Sequence, residues 1–287
     1  MRWSVLRTPS FRKELKYQVI KVKSDSEMDS SIVAYLNKCI ATYKENDRAI
    51  VFCRSKRHVT TLATLFKTHP YYAAGEDDDH LQKNKEAMIK WVSGENPIMT
   101  STSILGCGID YAHIRDVVHR DPAYTMLDQY QEDSRGGRDG MECRATTFIV
   151  ENKKYSMPDQ LYDLGTKNLY HSIYDERCCR RMAASLFLDG KSVQCINIMG
   201  AVFCDFCETI STPSFSGIES ASLIPPFQVQ LPPQRSLDIF DPSPPHLDLR
   251  EHARPQKRKH ISFQETGLLS PHLCSSSAKR VKFPDTV

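Results

Sequence analysis

The chain has 287 residues, 40% of them apolar, 25% charged and 9% aromatic, and its 38 basic and 35 acidic side chains leave a formal charge of +3. These fractions exclude collagen-like and wholly disordered chains, and no apolar run reaches the roughly 18 residues of a membrane span, so a soluble intracellular protein with no membrane contact is expected. So balanced a charge leaves no global footprint for nucleic acid, and any such contact must come from a few placed groups.

Residues 1–44 are polar apart from an amphipathic stretch at 32–43 and read as a lead-in. Ala49-Ile50-Val51-Phe52-Cys53 is a short run of strand formers. A turn, Arg54-Ser55-Lys56-Arg57, follows it, and then Val59, Leu62, Leu65 and Phe66 recur at helical spacing. Tyr71-Tyr72-Ala73-Ala74-Gly75 predicts a second strand. Residues 77–92 predict a helix with Asp77, Asp78 and Asp79 in its first turn, where the dipole favours carboxylates. A third strand begins at Pro97-Ile98-Met99-Thr100, a fourth contains Val117-Val118-His119, and a fifth is Ala145-Thr146-Thr147-Phe148-Ile149-Val150. Strands alternating with helices imply βαβ units and a parallel sheet, so 45–152 is expected to be an α/β lobe. Residues 153–210 read as helical from Leu161 through Leu188, with a break, and then as cysteine-dense. Eleven of the sixteen prolines follow Cys207. Proline removes backbone donors and disfavours regular structure, so 211–287 is expected to be a disordered Pro/Ser-rich tail.

Ligands of open parallel sheets gather at the carboxyl ends of the strands, and three loops there carry chemistry. Arg54-Ser55-Lys56-Arg57 sets cations and a hydroxyl at a helix start, suited to a phosphate or simply a solvated basic turn. Thr100-Ser101-Thr102-Ser103-Ile104-Leu105-Gly106-Cys107-Gly108-Ile109-Asp110 places hydroxyls before two glycines and an acid, which suits close approach to a ligand or a plain strand-to-loop transition. In Gln129-Tyr130-Gln131-Glu132-Asp133-Ser134-Arg135-Gly136-Gly137-Arg138-Asp139-Gly140 two arginines stand three apart. They make a fork for a polyphosphate, or a glycine-rich surface turn.

Taken in order, these loops resemble motifs IV, V and VI of superfamily 2 helicases, specifically the RecQ family. The fourth motif is similar to Ile50-Val51-Phe52-Cys53-Arg54-Ser55. The fifth is similar to Gly106-Cys107-Gly108-Ile109-Asp110 with Val117-Val118-His119, and the sixth to Gln131-Glu132 through Arg135-Gly136-Gly137-Arg138-Asp139-Gly140. The likeness reaches back to Thr8-Pro9-Ser10-Phe11-Arg12 and covers about 8–210. It implies the second RecA-like lobe of an ATP-dependent 3′–5′ DNA helicase. By that resemblance Arg135 and Arg138 face the ATP phosphates, and Asp110 with Gly108 approaches the nucleotide. Gln131 couples the two sites, while Ser55, Arg57 and Thr102 touch the backbone of single-stranded or forked DNA. Ser134 stands where the family pattern has glycine and Ala73 where it has histidine; serine disfavours positive φ, so a displaced finger loop is expected.

Ten cysteines in so long a chain read as reduced thiols, some holding metal, rather than a disulfide scaffold. Cys204-Asp205-Phe206-Cys207 is the tight half of a thiolate site that two earlier cysteines can complete, or else a set of buried thiols. The resemblance implies a small helical zinc-binding subdomain directly after the lobe, with Cys179, Cys195, Cys204 and Cys207 as structural zinc ligands. Cys179 is preferred to Cys178 because it precedes Arg180-Arg181. The 287 residues hold no acceptable Walker A loop, since Ser185 occupies the first glycine position ahead of Gly190-Lys191-Ser192. Asp175-Glu176 follows no strand and fails as a Walker B pair. ATP and magnesium are therefore expected only where a first lobe is supplied, and the chain alone is expected to be inactive. The rival expectation is a non-catalytic module that binds DNA, a helicase or a repair protein. Arg254-Pro255-Gln256-Lys257-Arg258-Lys259 and Lys279-Arg280-Val281-Lys282 suit nuclear import, or are solvated charge.

Overall fold

Strand β2 (Arg48–Cys53) is buried along its whole length. Its alternate residues serve two cores: Ala49, Val51 and Cys53 on one face, Ile50 and Phe52 on the other. A strand covered on both faces reads as a continuous apolar run, which is why it stands out in the sequence. The computed structural model describes residues 9–73, 77–106, 109–153 and 165–211, all within one unit. The sheet also contains β1 (Leu15–Val22), β3 (Ile98–Ser101), β4 (Ile114–Arg120) and β5 (Cys143–Val150). All pairings are parallel and the order is β1-β5-β4-β2-β3, with Phe52 beside Ser101 and His119. This is the expected α/β, RecA-like class.

Helices α1 (Asp25–Ile40) and α2 (Lys56–Leu65) cover one face, setting Met28, Ile32, Leu36, Val59 and Leu62 against Val51, Val118 and Phe148. Each such side chain removed from water contributes roughly 1.5–3 kcal/mol. Helix α3 (Asp78–Ser93) covers the other face with Trp91, whose Nε1 donates to the Ala49 carbonyl at 3.1 Å. Asp77 caps α3 by accepting from the His80 amide at 3.1 Å, as its acidic start suggests.

Helices α4 (Met126–Asp133) and α5 (Thr166–Tyr174) pack Met126, Leu169 and Ile173 around Ile149. Helix α6 (Arg180–Asp189), a 3-10 turn at Cys195–Asn197 and α7 (Asp205–Ser211) complete the described chain. They lie along the outer side of β1: the Val19 amide donates to Asp205 Oδ2 at 2.9 Å and the Val202 amide to the Lys13 carbonyl at 2.8 Å. The sheet edge is thereby covered rather than left open.

Three expectations need correction. Residues read as a lead-in supply β1 and α1, and β1 was missed because Lys16, Gln18 and Lys21 interrupt its apolar pattern at a sheet edge. The strand expected at 71–75 is a single bridge between Tyr71 and Ser101, with Ala74 and Gly75 outside the described residues. Gln129 through Asp133, read as loop, form the end of α4. Thr8, Cys107, Gly108, Leu161, the basic clusters and 212–287 also lie outside the described residues. Among those described, no helix is long and apolar enough to cross a membrane.

Candidate functional site

Strands β2 and β3 end on one side of the sheet, and the loops beginning at Arg54 and Thr102 follow there. The third loop, expected on that side as well, instead follows α4 and lies at the opposite ends of β4 and β5, the Gly137 amide donating to the Ile114 carbonyl at 3.0 Å. Ser55 caps α2, its hydroxyl accepting from the His58 amide at 3.3 Å, and Arg57 is exposed in the first turn. Thr102 is half-buried directly after β3, the neighbour of β2, and its amide donates to the Tyr71 carbonyl at 3.2 Å. Arg54 departs from the expected use of its turn as a phosphate cradle. Its guanidinium donates to the Pro122 carbonyl, to the Ala123 carbonyl at 2.7 Å and to Tyr170 Oη at 3.3 Å, and it stacks on Tyr124. Arg54 is thus a brace between β2 and α5. Lys56 turns back to the Ala73 carbonyl at 3.3 Å.

The fork after α4 folds onto the loop after β3. Arg135 donates from Nη1 to the Ile109 carbonyl at 2.7 Å and from Nη2 to the Gly106 carbonyl. Gln131 Nε2 donates to that same Gly106 oxygen at 3.0 Å. Arg138 Nη1 meets Asp110 Oδ1 at 2.6 Å, with Asp110 largely exposed. Four expected residues, Arg135, Arg138, Gln131 and Asp110, are therefore brought together; Gly108 lies outside the described residues.

The glycines between the arginines are required by space. A Cβ on Gly136 would stand 2.2 Å from Cys143 Sγ, and one on Gly137, at φ +61°, would stand 2.8 Å from the Met141 carbonyl. Ser134, expected to displace the loop, ends α4 in the right-handed region at φ −67°, where serine fits without strain. A residue that the sequence reading left without a role completes the loop. Arg12 donates to the carbonyls of Ser134 at 3.0 Å, Gly136 at 3.0 Å and Gly137 at 3.2 Å. Below the loop, buried His119 on β4 bonds Asp133 and contacts Glu132, fixing the end of α4.

The second centre is the cysteine cluster. Cys179 precedes α6, Cys195 opens the 3-10 turn, and Cys204 and Cys207 bracket the start of α7; all four are buried. Their sulfurs lie within 4.8 Å of one another, at 3.4 Å for Cys179 to Cys195 and 3.8 Å for Cys179 to Cys204. Zinc bound to four thiolates sets sulfurs roughly 3.8 Å apart, so the donor set and spacing fit a closed tetrahedral ion. Arg181 Nε and the Cys195 amide each point at a cluster sulfur at 3.3 Å, as donors do toward thiolates. Neighbouring thiols and Arg181 hold Cys195 low, whereas burial pushes Cys207 up to about 12. Such a set cannot ionise together without a cation. Gly190 ends α6 at φ +72°, so Gly190-Lys191-Ser192 follows a helix instead of opening one.

Residues 31–140 match the family model "Helicase conserved C-terminal domain". A putative ATP-dependent DNA helicase Q1 of Caenorhabditis elegans is 28% identical over 182 residues, covering 60% of this chain and 28% of the relative. ATP-dependent DNA helicase Q5 of Mus musculus is 24% identical over 229 residues, covering 70% and 22%. ATP-dependent RNA helicase DBP2 of Chaetomium thermophilum is 25% identical over 139 residues, covering 48% and 25%. The chain spans less than a third of the length of these relatives. Residues 31–140 thus match a helicase C-terminal domain, and over part of its length the chain is similar to DNA helicases of the RecQ kind.

Proposed function

We propose that the chain supplies the second motor lobe and a zinc-binding subdomain to a RecQ-like ATP-dependent helicase that unwinds DNA 3′–5′ in nuclear recombination and repair. The observation that carries this reading is the meeting of Arg138 with Asp110 and of Arg135 and Gln131 with the Gly106 carbonyl. An ion pair with so exposed a carboxylate contributes about 0–1 kcal/mol. Phosphate oxygens bind a guanidinium fork more strongly, so a nucleotide held by a partner lobe would take Arg138 from Asp110. Arg135, anchored on two backbone carbonyls, is preorganised to hold positive charge at the γ-phosphoryl group as negative charge shifts on transfer. Gln131 shares its acceptor with Arg135 and so connects nucleotide occupancy to the loop after β3. Ser55, Arg57 and Thr102 would meet DNA phosphates at the neighbouring strand ends. DNA is favoured over RNA because the two DNA helicases match 60% and 70% of the chain, against 48% for the RNA helicase. Zinc on Cys179, Cys195, Cys204 and Cys207 would supply structure alone, since four protein ligands leave no open position.

The test uses tripolyphosphate as probe with the 287-residue protein. Asp110→Asn should tighten binding by about threefold, as removal of a weak competitor does, and Arg138→Ala should abolish it. ATP hydrolysis by the chain alone should be negligible. DNA-stimulated hydrolysis lost in Arg138→Ala would overturn the shared-site reading, and polyphosphate binding indifferent to both substitutions would favour a non-catalytic DNA- or helicase-binding module.

A further inference from the structure

We propose that Arg12 is a positioning residue for the loop that carries Arg135 and Arg138, and that Arg181 makes this position depend on metal in the cysteine cluster. The inference rests on the reading of Arg135 and Arg138 as phosphate-facing groups.

One guanidinium serves three carbonyls of a single tight turn: Arg12 reaches Ser134, Gly136 and Gly137 at 3.0, 3.0 and 3.2 Å, with its Nε turned to Glu14. Gly136 and Gly137 are buried, so their carbonyls have little water to fall back on, and charged donors are the strong partners for such groups. The turn therefore keeps its shape where Arg12 stays in place. What holds Arg12 is its own backbone. Its carbonyl accepts from Arg181 Nη1 at 2.6 Å, while Arg181 Nη2 donates to the carbonyls of Leu15 at 2.5 Å and Val202 at 3.3 Å.

Arg181 is 3% exposed and lies over the Tyr17 ring at 4.9 Å, so it has no alternative pose in solvent. Both of its ends depend on the cluster. Its backbone sits in the first turn after Cys179, and its Nε contacts Cys195 Sγ at 3.3 Å. A tetrahedral ion pins those two sulfurs relative to each other. Without it, packing alone sets their separation, and the donors from Arg181 to Arg12 lose their fixed origin. The path from Cys195 through Arg181 and Arg12 to Ser134 consists of polar contacts between buried or half-buried groups, the kind of connection that carries coupling between sites.

Hydrogen exchange of the full chain, with zinc bound or removed by a chelator, tests the coupling. The reporters are the amides of Arg135, Gly136, Gly137 and Gly140, bonded to the carbonyls of Glu132, Asp133, Ile114 and Gly137. Chelation should speed their exchange about tenfold, the effect of losing one strong charged hydrogen bond. Arg12→Ala should do likewise with one zinc still bound, Arg12→Lys should restore part of the protection, and chelation should add little to Arg12→Ala. Chelation that loosens only 179–207, that speeds the core amides of Val51 and Val118 equally, or that multiplies with Arg12→Ala would overturn the proposal. A polyphosphate affinity indifferent to Arg138→Ala would instead overturn the phosphate-facing reading and leave the exchange result standing.

Discussion

At 1% exposure, His119 is sealed between Phe52, stacked at 5.6 Å, Asp133 Oδ1 at 2.8 Å and Glu132 Oε2 at 3.2 Å. Burial by itself would lower its pKa; the charge and hydrogen bond of Asp133, with Glu132, outweigh that and raise it to about 9. An imidazolium in a fold that favours it contributes stability in full below the unfolded value of about 6.5, and that contribution is lost as pH rises through about 9. The amount is on the order of 3 kcal/mol. Urea midpoints should therefore fall between about pH 7 and 9.5, and His119→Asn should be less stable at pH 6 yet nearly flat over that window. A wild-type midpoint constant across the window would refute a charged His119. The sequence places His119 in a strand and in the stretch like the fifth motif but does not show its charge, since both carboxylates come from a helix that itself reads as loop. Arg54 taught the opposite lesson. Its charge was visible, but the carbonyls of Pro122 and Ala123 that consume it lie far along the chain.

Legibility at the level of elements followed burial. Strands β2, β4 and β5 are buried along almost their whole length because the sheet is covered on both faces, and the apolar stretches within them, Ala49–Cys53, Val117-Val118 and Phe148–Val150, make each legible to within a few residues. Helix α4 hid because its inward side is polar: Gln129, Glu132 and Asp133 are buried and paired, so no apolar period of 3.6 was there to find. The loop after α4 was recognised by its glycines, and the structure supplies their physical reason. A Gly136→Ala methyl would meet Cys143 Sγ at 2.2 Å and Val117 Cγ2 at 3.3 Å, so overpacking should cost about 1–3 kcal/mol. Cys143→Ala in the same chain should recover a good part of it. Thermal unfolding of the single and double variants measures this, and strictly additive losses would show that the two positions do not compete for space.

Over the molecule as a whole, 38 basic and 35 acidic groups nearly cancel, and the buried or half-buried Arg48, Arg54, Arg120 and Arg181 spend their donors within the protein. Of the cations in the turn after β2, Arg54 and Lys56 turn to backbone carbonyls, which leaves the exposed Arg57 for DNA phosphates. Log affinity for single-stranded DNA should therefore fall with log salt at a slope of only about −1 to −3, and Arg57→Ala should make it shallower by about one. A slope near −6, or no change in Arg57→Ala, would place the contacts elsewhere.

The pairing of Leu15 with Cys143 also dictates an order of events during synthesis. Among the described strands β1 leaves the ribosome first, yet the one it pairs with, β5, is made last. Until Val150 has emerged, β1 lacks the neighbour it pairs with among the described strands, and closing so long a loop is slow. Nascent chains stalled before Cys143 should leave β1 open to protease, and those released beyond Val150 should protect it. Of the described strands, the first made is thus the last to be fastened.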